Sequence, residues 1–237
     1  MKKKSNKPKS ITENGEREAP FRLLLAVLLS ALAAGLGYAV LSLPSPPPGL
    51  SSHVAATLET SGVSNPVTAV LLNFRGYDTL LELGVLLLAL LGVWSLGVAP
   101  EHHEPPPGPV LDMLTRLLAP LLILVAGYLL WVGAHAPGGA FQAGSVLAAA
   151  GVLVLLTGWR PGAGFSGLPL RITLAAGLGV FVVVGVVLML LGGRLLEYPP
   201  SFAGALILLI EAAATLSIGT TLAALFLGGR PEAGPRR

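Results

Sequence analysis

The 237-residue sequence contains no cysteine, which excludes disulfides, thiolate metal centres and cysteine nucleophiles. Charge is scarce as well. Charged residues make up 11% of the chain, whereas a soluble domain carries about 25%. No phosphate-cradling loop, zinc-ligand spacing or nucleophile elbow occurs. The net charge of +3 is carried in short flanks around apolar runs, which is a pattern of membrane orientation and not of nucleic-acid binding. An enzyme is therefore not expected, nor a cofactor, a metal site or a nucleic-acid partner. His102 and His103 flank glutamates in a polar linker, but two adjacent ligands cannot close a metal site.

Hydrophobic residues are abundant, at 53% of the chain, with a mean hydropathy of +0.77. A membrane span needs about 20 apolar residues, and six stretches qualify: 22–43, 79–98, 114–134, 142–158, 172–191 and 203–227, the fourth being the shortest. The expected fold is all-α and polytopic, with about six transmembrane helices in a multi-pass plasma-membrane protein. With six spans and a cytoplasmic N-terminus, only Arg75 and Arg194 of the 15 Lys and Arg residues fall on the far side. The positive-inside rule thus predicts that both termini are cytoplasmic. The first apolar run has 21 residues, 23–43, longer than the roughly 7–15 of a signal-peptide core, so it reads as a retained helix.

The chain divides into a disordered basic N-terminus (1–21), a two-helix segment (22–98), a proline-rich linker (99–111), a four-helix domain (112–228) and a basic tail (229–237). Within the two-helix segment, 44–73 is too polar in its first half to span, and 67–73 reads as a short interfacial or half-embedded piece. Trp94, Trp131 and Trp159 lie near span ends, as interfacial aromatics do. Gly177, Gly179 and Gly185 suit close helix packing.

Three features invite a functional reading. Residues 133–144 hold four glycines, a proline, His135 and Gln142 between two apolar runs, so the helix must break there. Glu82 and Glu211 stand inside predicted spans, where an ionised carboxylate costs at least about 2.5–3.5 kcal/mol. Each is open to two readings: a proton carrier, or a neutral carboxyl joining helices by a hydrogen bond. Asp78 and Glu82 share a helical face at i,i+4, and Arg75 is close enough to pair with Asp78, which resembles the entrance to a charged pathway. His135 is open to a proton-relay reading, or to one in which its ring satisfies backbone freed at the break. Asp112 and Arg116 form an i,i+4 pair at a helix entrance.

The run His135-Ala136-Pro137-Gly138-Gly139-Ala140-Phe141-Gln142-Ala143-Gly144 resembles the H-x-P-G-G-G-F-Q-G-G signature of the B component of Mrp-type multisubunit sodium/proton antiporters, the MnhB-domain family. Ala140 and Ala143 replace glycines of that pattern. The run Asn73-Phe74-Arg75-Gly76-Tyr77-Asp78-Thr79-Leu80-Leu81-Glu82 is similar to the D-F-R-G-F-D-T-x-G-E run in the C-terminal part of the large A component of those antiporters, or of a small component of membrane-bound hydrogenases. Asn73 stands where that family has Asp, and Leu81 where it has Gly. Together the resemblances imply a fusion of two neighbouring subunits. They imply a non-catalytic membrane subunit that helps form or seal a path for Na+ and H+, with other antiporter or hydrogenase membrane subunits and the lipid bilayer as partners. The alternatives are a membrane-arm component of a redox-driven pump and a purely structural assembly component. The main pumping subunits of such complexes carry intramembrane lysines, and this chain has no lysine after Lys9. Glu82, Asp78, Glu211, His135 and Arg75 are then its candidate polar steps, while Pro137, Gly138, Gly139, Phe141, Gln142 and Gly144 form the structural motif.

Overall fold

Long apolar runs bounded by Gly and Pro become helices, because only a helix pairs all of its own backbone groups within hydrocarbon. The computed structural model describes residues 12–42, 49–97, 108–158, 167–193 and 195–229, of which 12–22 by backbone alone. The N-terminal lysines, His102, His103, Trp159, Arg160, Arg194 and the C-terminal arginines lie outside those residues or at their undescribed ends.

Eight helices follow one another: α1 (Thr12–Leu41), α2 (Ser51–Thr57), α3 (Pro66–Ala69), α4 (Gly76–Ser95), α5 (Pro109–Val132), α6 (Ala140–Leu156), α7 (Leu168–Leu190) and α8 (Ala203–Phe226). A 3-10 turn, Leu58–Thr60, continues α2, and a π-helical turn, Val70–Phe74, continues α3. Residues 1–50 and 51–237 form separate compact units. In the first, the stretch Leu23–Leu41 of α1 is apolar throughout.

Five helices, α1, α4, α5, α7 and α8, are long and apolar enough to cross a membrane. The remaining apolar helix, α6, has 17 residues, or about 26 Å at 1.5 Å per residue, just short of a hydrocarbon core of about 30 Å. The break before it makes up the difference, as described below.

In the second unit, α4 to α8 alternate in direction. The start of α4, the end of α5, the start of α6, the end of α7 and the start of α8 all meet at one end. Gly76 packs on Leu196 of the α7–α8 connection, and Gly204 packs on the Gly62 carbonyl. The larger apolar cluster gathers here, around Phe181, Ile207, Ile210 and Leu196. A smaller one, with Leu90, Leu170, Leu174 and Ala224, occupies the other end. Small residues let α8 approach its neighbours, since association within lipid relies on packing and interhelical hydrogen bonds. Gly177 of α7 lies against Ser217 and Ala214, and Gly144 of α6 against Ile218. The Ser217 hydroxyl donates to the Leu174 carbonyl at 2.6 Å.

Candidate functional site

The break between α5 and α6 is a tight return of the backbone onto itself. The Gly139 N–H donates back to the Leu129 carbonyl at 2.9 Å, and the His135 and Ala136 N–H groups both donate to Val132. A Cβ on Gly133 would lie 2.6 Å from the Gly139 nitrogen, so the two strands of the return meet backbone to backbone. Gly139 caps α6 with φ +103 and ψ −172, a region open essentially to glycine alone.

The freed start of α6 points at a carboxyl. Glu211, eight residues into α8, is 3% exposed. The Ala140 backbone N–H hydrogen-bonds its carboxyl. A Cβ on Gly139 would stand 2.7 Å from Glu211 Oε1 and 3.9 Å from Gln142 Oε1. A helix start offers unpaired N–H groups and a positive dipole end, which suits an acid that has no cation beside it. Glu211 Oε2 has no hydrogen-bond partner. By residue count Glu211 lies about 12 Å along α8 from its first residue. The α6 start therefore sits below the end of the bundle, and this is why α6 is short.

Non-helical backbone at such depth must be covered by protein, and residues 61–74 provide the cover. Asn65-Pro66 is a strong helix start, with an N-cap Asn followed by Pro at the first position. The Asn65 side chain accepts from the Val67 N–H at 2.8 Å. Just before this start, the Ser64 and Asn65 N–H groups both donate to the Ala134 carbonyl at 3.0 Å. The Thr68 hydroxyl donates to the Gly133 carbonyl at 2.5 Å. Both carbonyls that the break leaves unpaired are thereby satisfied from a segment about 65–70 residues earlier in sequence. His135 is exposed, and its Nδ1 lies 3.0 Å from the Ser64 hydroxyl.

The segment turns into α4 through the π-helical turn, a feature frequent at functional sites. Asn73 donates to the Ser61 carbonyl at 3.0 Å, and the Thr79 hydroxyl to the Leu71 carbonyl at 2.6 Å. Arg75 forms an ion pair with Asp78, as the spacing led one to expect. Glu82 lies one turn deeper. In this chain it is exposed, in an open groove lined by Asp78, Leu81, Glu82, Val85 and Phe141. Phe141 is the residue after Ala140, so the first turn of α6 touches Glu211 through one residue and the Glu82 groove through the next.

The structure thus joins Gly139, Ala140, Gln142 and Glu211, and separately Arg75, Asp78, Glu82 and Phe141. It sets His135 apart, with Ser64 at the outer surface of the break. Gly138 packs on the Leu129 carbonyl and Gly144 on α8. Pro137 is exposed. Asp112 and Arg116 pair at 2.9 Å. Sequence reasoning missed Ser64, Asn65 and Thr68, although Ser-Asn-Pro ahead of a short apolar run is a legible signal for a capped, buried helix start. It also missed that the Gly-Gly pair and Glu211 belong to one site. In the connection between α7 and α8, Tyr198 is buried with its hydroxyl unpartnered, and burial pushes its phenol up from the ordinary value.

Comparison with known proteins agrees with the two-part geometry. Residues 110–224 match a domain related to the MnhB subunit of Na+/H+ antiporters, and residues 19–100 match the MbhE family, the E component of MBH. A probable K(+)/H(+) antiporter A/B component of Rhizobium meliloti (strain 1021) is 27% identical over 164 residues, which are 55% of this chain and only 16% of that protein. A chain of the membrane-bound sulfane sulfur reductase (MBS), an archaeal respiratory membrane complex, superimposes with a TM-score of 0.65 at 25% identity, over 87% of this chain and 97% of that one. A chain of the Mrp complex from Dietzia sp. DQ12-45-1b shares the fold, with a TM-score of 0.63 at 21% identity, over 98% of this chain and 28% of that one. The protein is a multi-pass membrane protein whose residues 110–224 belong to the MnhB-related domain family, preceded in the same chain by a segment of the MbhE family.

Proposed function

We propose that this chain is a non-catalytic membrane subunit of a multisubunit monovalent cation/proton antiporter in the plasma membrane, and that it forms part of the ion path. The observation that carries the reading is the pairing of two acids around the start of α6. Glu211 is held on Ala140, and Glu82 stands in the groove that Phe141 lines. Glu82 is six residues into α4 and Glu211 eight into α8. Both helices start at the same end, so the acids sit at similar depths of about 9 and 12 Å. Intramembrane acids of this kind mark ion and proton routes. Both termini are cytoplasmic in this reading, and the end bearing the break faces away from the cytoplasm. Arg116 and Arg171 at the opposite end support that orientation. The partners are other membrane subunits, reached through the exposed faces of α4 and α5.

The test is cation-driven proton exchange in vesicles carrying the assembled complex, measured with Na+ and with K+, since antiporters of both kinds are among the matches. Glu82→Gln and Glu211→Gln are expected to lower exchange at least about ten-fold, a modest share of what a positioned proton-transfer group contributes. Wild-type exchange in both variants, with normal assembly, would overturn the reading.

A second reading places the same chain in the membrane arm of a redox-driven pump. The near-complete coverage of a respiratory-complex chain favours it. Co-purification separates the two: redox subunits recovered with the chain decide for the second, and antiporter subunits alone for the first.

A further inference from the structure

At the bundle end away from the break, α5, α6 and α8 part to leave an apolar cleft of about 330 Å³, whose walls include Ala119, Leu147, Gly151, Gly219 and Ala223, with Leu170 of α7 closing one side. Its volume falls within the range of about 300–1,000 Å³ typical of small-molecule sites. The cleft lies among membrane-spanning helices, so lipid tails are the solvent at its mouth. A tail alone gains little there, because hydrocarbon is as apolar as the cleft wall. Retention of one particular molecule requires polar anchors.

Two such anchors are present, at the end of the cleft nearest the membrane surface. Arg171 directly follows Leu170 in the first turn of α7, is exposed, and has no acidic partner among the described residues. Arg116 sits at the same end but is engaged by Asp112, which leaves Arg171 as the available cation. The second anchor is Thr115. It lies one turn before Ala119 on the same face of α5, is 6% exposed, and its hydroxyl has no hydrogen-bond partner. A buried hydroxyl without a partner is costly, and an ester or glycerol oxygen at the top of the cleft would relieve that cost.

We propose that this cleft is a specific site for an anionic phospholipid: one acyl chain fills it, the glycerol-ester region meets Thr115, and the phosphate headgroup pairs with Arg171. The unpaired cation selects a lipid with net negative charge over a zwitterionic one. The proposal depends only on the chain being a membrane protein and stands or falls separately from ion exchange.

The test is native mass spectrometry of the complex recovered from mixed phosphatidylglycerol and phosphatidylethanolamine vesicles. Wild type is expected to retain one phosphatidylglycerol per copy of this chain. Ala119→Phe, which fills the cleft, is expected to lower that retention about ten-fold or more. Thr220→Phe fills the cleft from its rim and serves if the first variant does not fold. Arg171→Ala is expected to abolish the preference between the two lipids. The proposal is overturned if wild type retains no lipid, if retention is unchanged in both filling variants, or if Ala119→Phe leaves lipid retention intact and instead releases a neighbouring subunit, which would make a partner helix the occupant.

Discussion

Glu211 and Glu82 are the same residue type at similar depth in one bundle, yet the chain treats them in opposite ways. Glu211 is enclosed by α6, α7 and α8 and answered by a backbone N–H from its own chain. Glu82 lies open on α4, beside a groove that this chain leaves uncovered. A carboxyl in hydrocarbon needs a partner. The difference shows that one acid is completed within the chain and the other waits for a neighbour. Substitutions at Glu211 should therefore register in the stability of the chain alone, and those at Glu82 only in the assembled complex.

The sharpest test of the enclosed site is Gly139→Ala. The backbone angle excludes a Cβ, and the added methyl would meet Glu211 Oε1 at 2.7 Å. A destabilisation of about 2–5 kcal/mol is expected from strain and overpacking together, read as a large loss of thermal stability in detergent. Adding Glu211→Ala to that variant removes the clash but not the backbone strain, so stability should recover only in part. Glu211→Ala alone leaves the Ala140 N–H without its acceptor and is expected to cost about 1–3 kcal/mol. Glu211→Gln retains an acceptor and should cost less. An equal loss in Glu82→Ala would erase the contrast between the two acids. That variant is expected to stay within about 0.5 kcal/mol of wild type in the isolated chain. Thr68→Val leaves the Gly133 carbonyl unpaired under the cover. It should cost about 1–2 kcal/mol, with faster proteolysis near the break. The smallest effect belongs to Tyr198→Phe, which removes a hydroxyl that has no partner and should change the melting temperature hardly at all.

Much of this architecture was legible in the sequence, because apolar runs and their Gly and Pro boundaries are local signals. The six apolar stretches each became a helix, and the short fourth one became α6. The Arg75–Asp78 and Asp112–Arg116 pairs followed from i,i+3 and i,i+4 spacing. The break at 133–139 was visible from its glycines and proline. Its depth was not, since depth depends on where α8 runs beside it. The meeting of Gly139 with Glu211, 72 positions apart, could not be read from one chain. A clue was present nonetheless: an acid in a span with no charged neighbour needs donors, and a helix break is the place where donors are free. The exposure of Glu82 was equally hidden, because a hydropathy window counts residues and does not say which face a neighbouring helix covers.

The covering segment has one more consequence. Residues 61–68 grip the α5–α6 break at one end of the bundle, whereas the chain between 97 and 108 joins α4 to α5 at the other. The peptide connection is thus remote from the contacts that hold the two parts together. Its contribution is one of effective concentration: it turns an association between two polypeptides into an intramolecular event and fixes their ratio at one to one. Cleavage between 97 and 108 should leave a nicked pair that migrates as one species. Two separately synthesised polypeptides divided there should find each other through Ser64, Asn65 and Thr68.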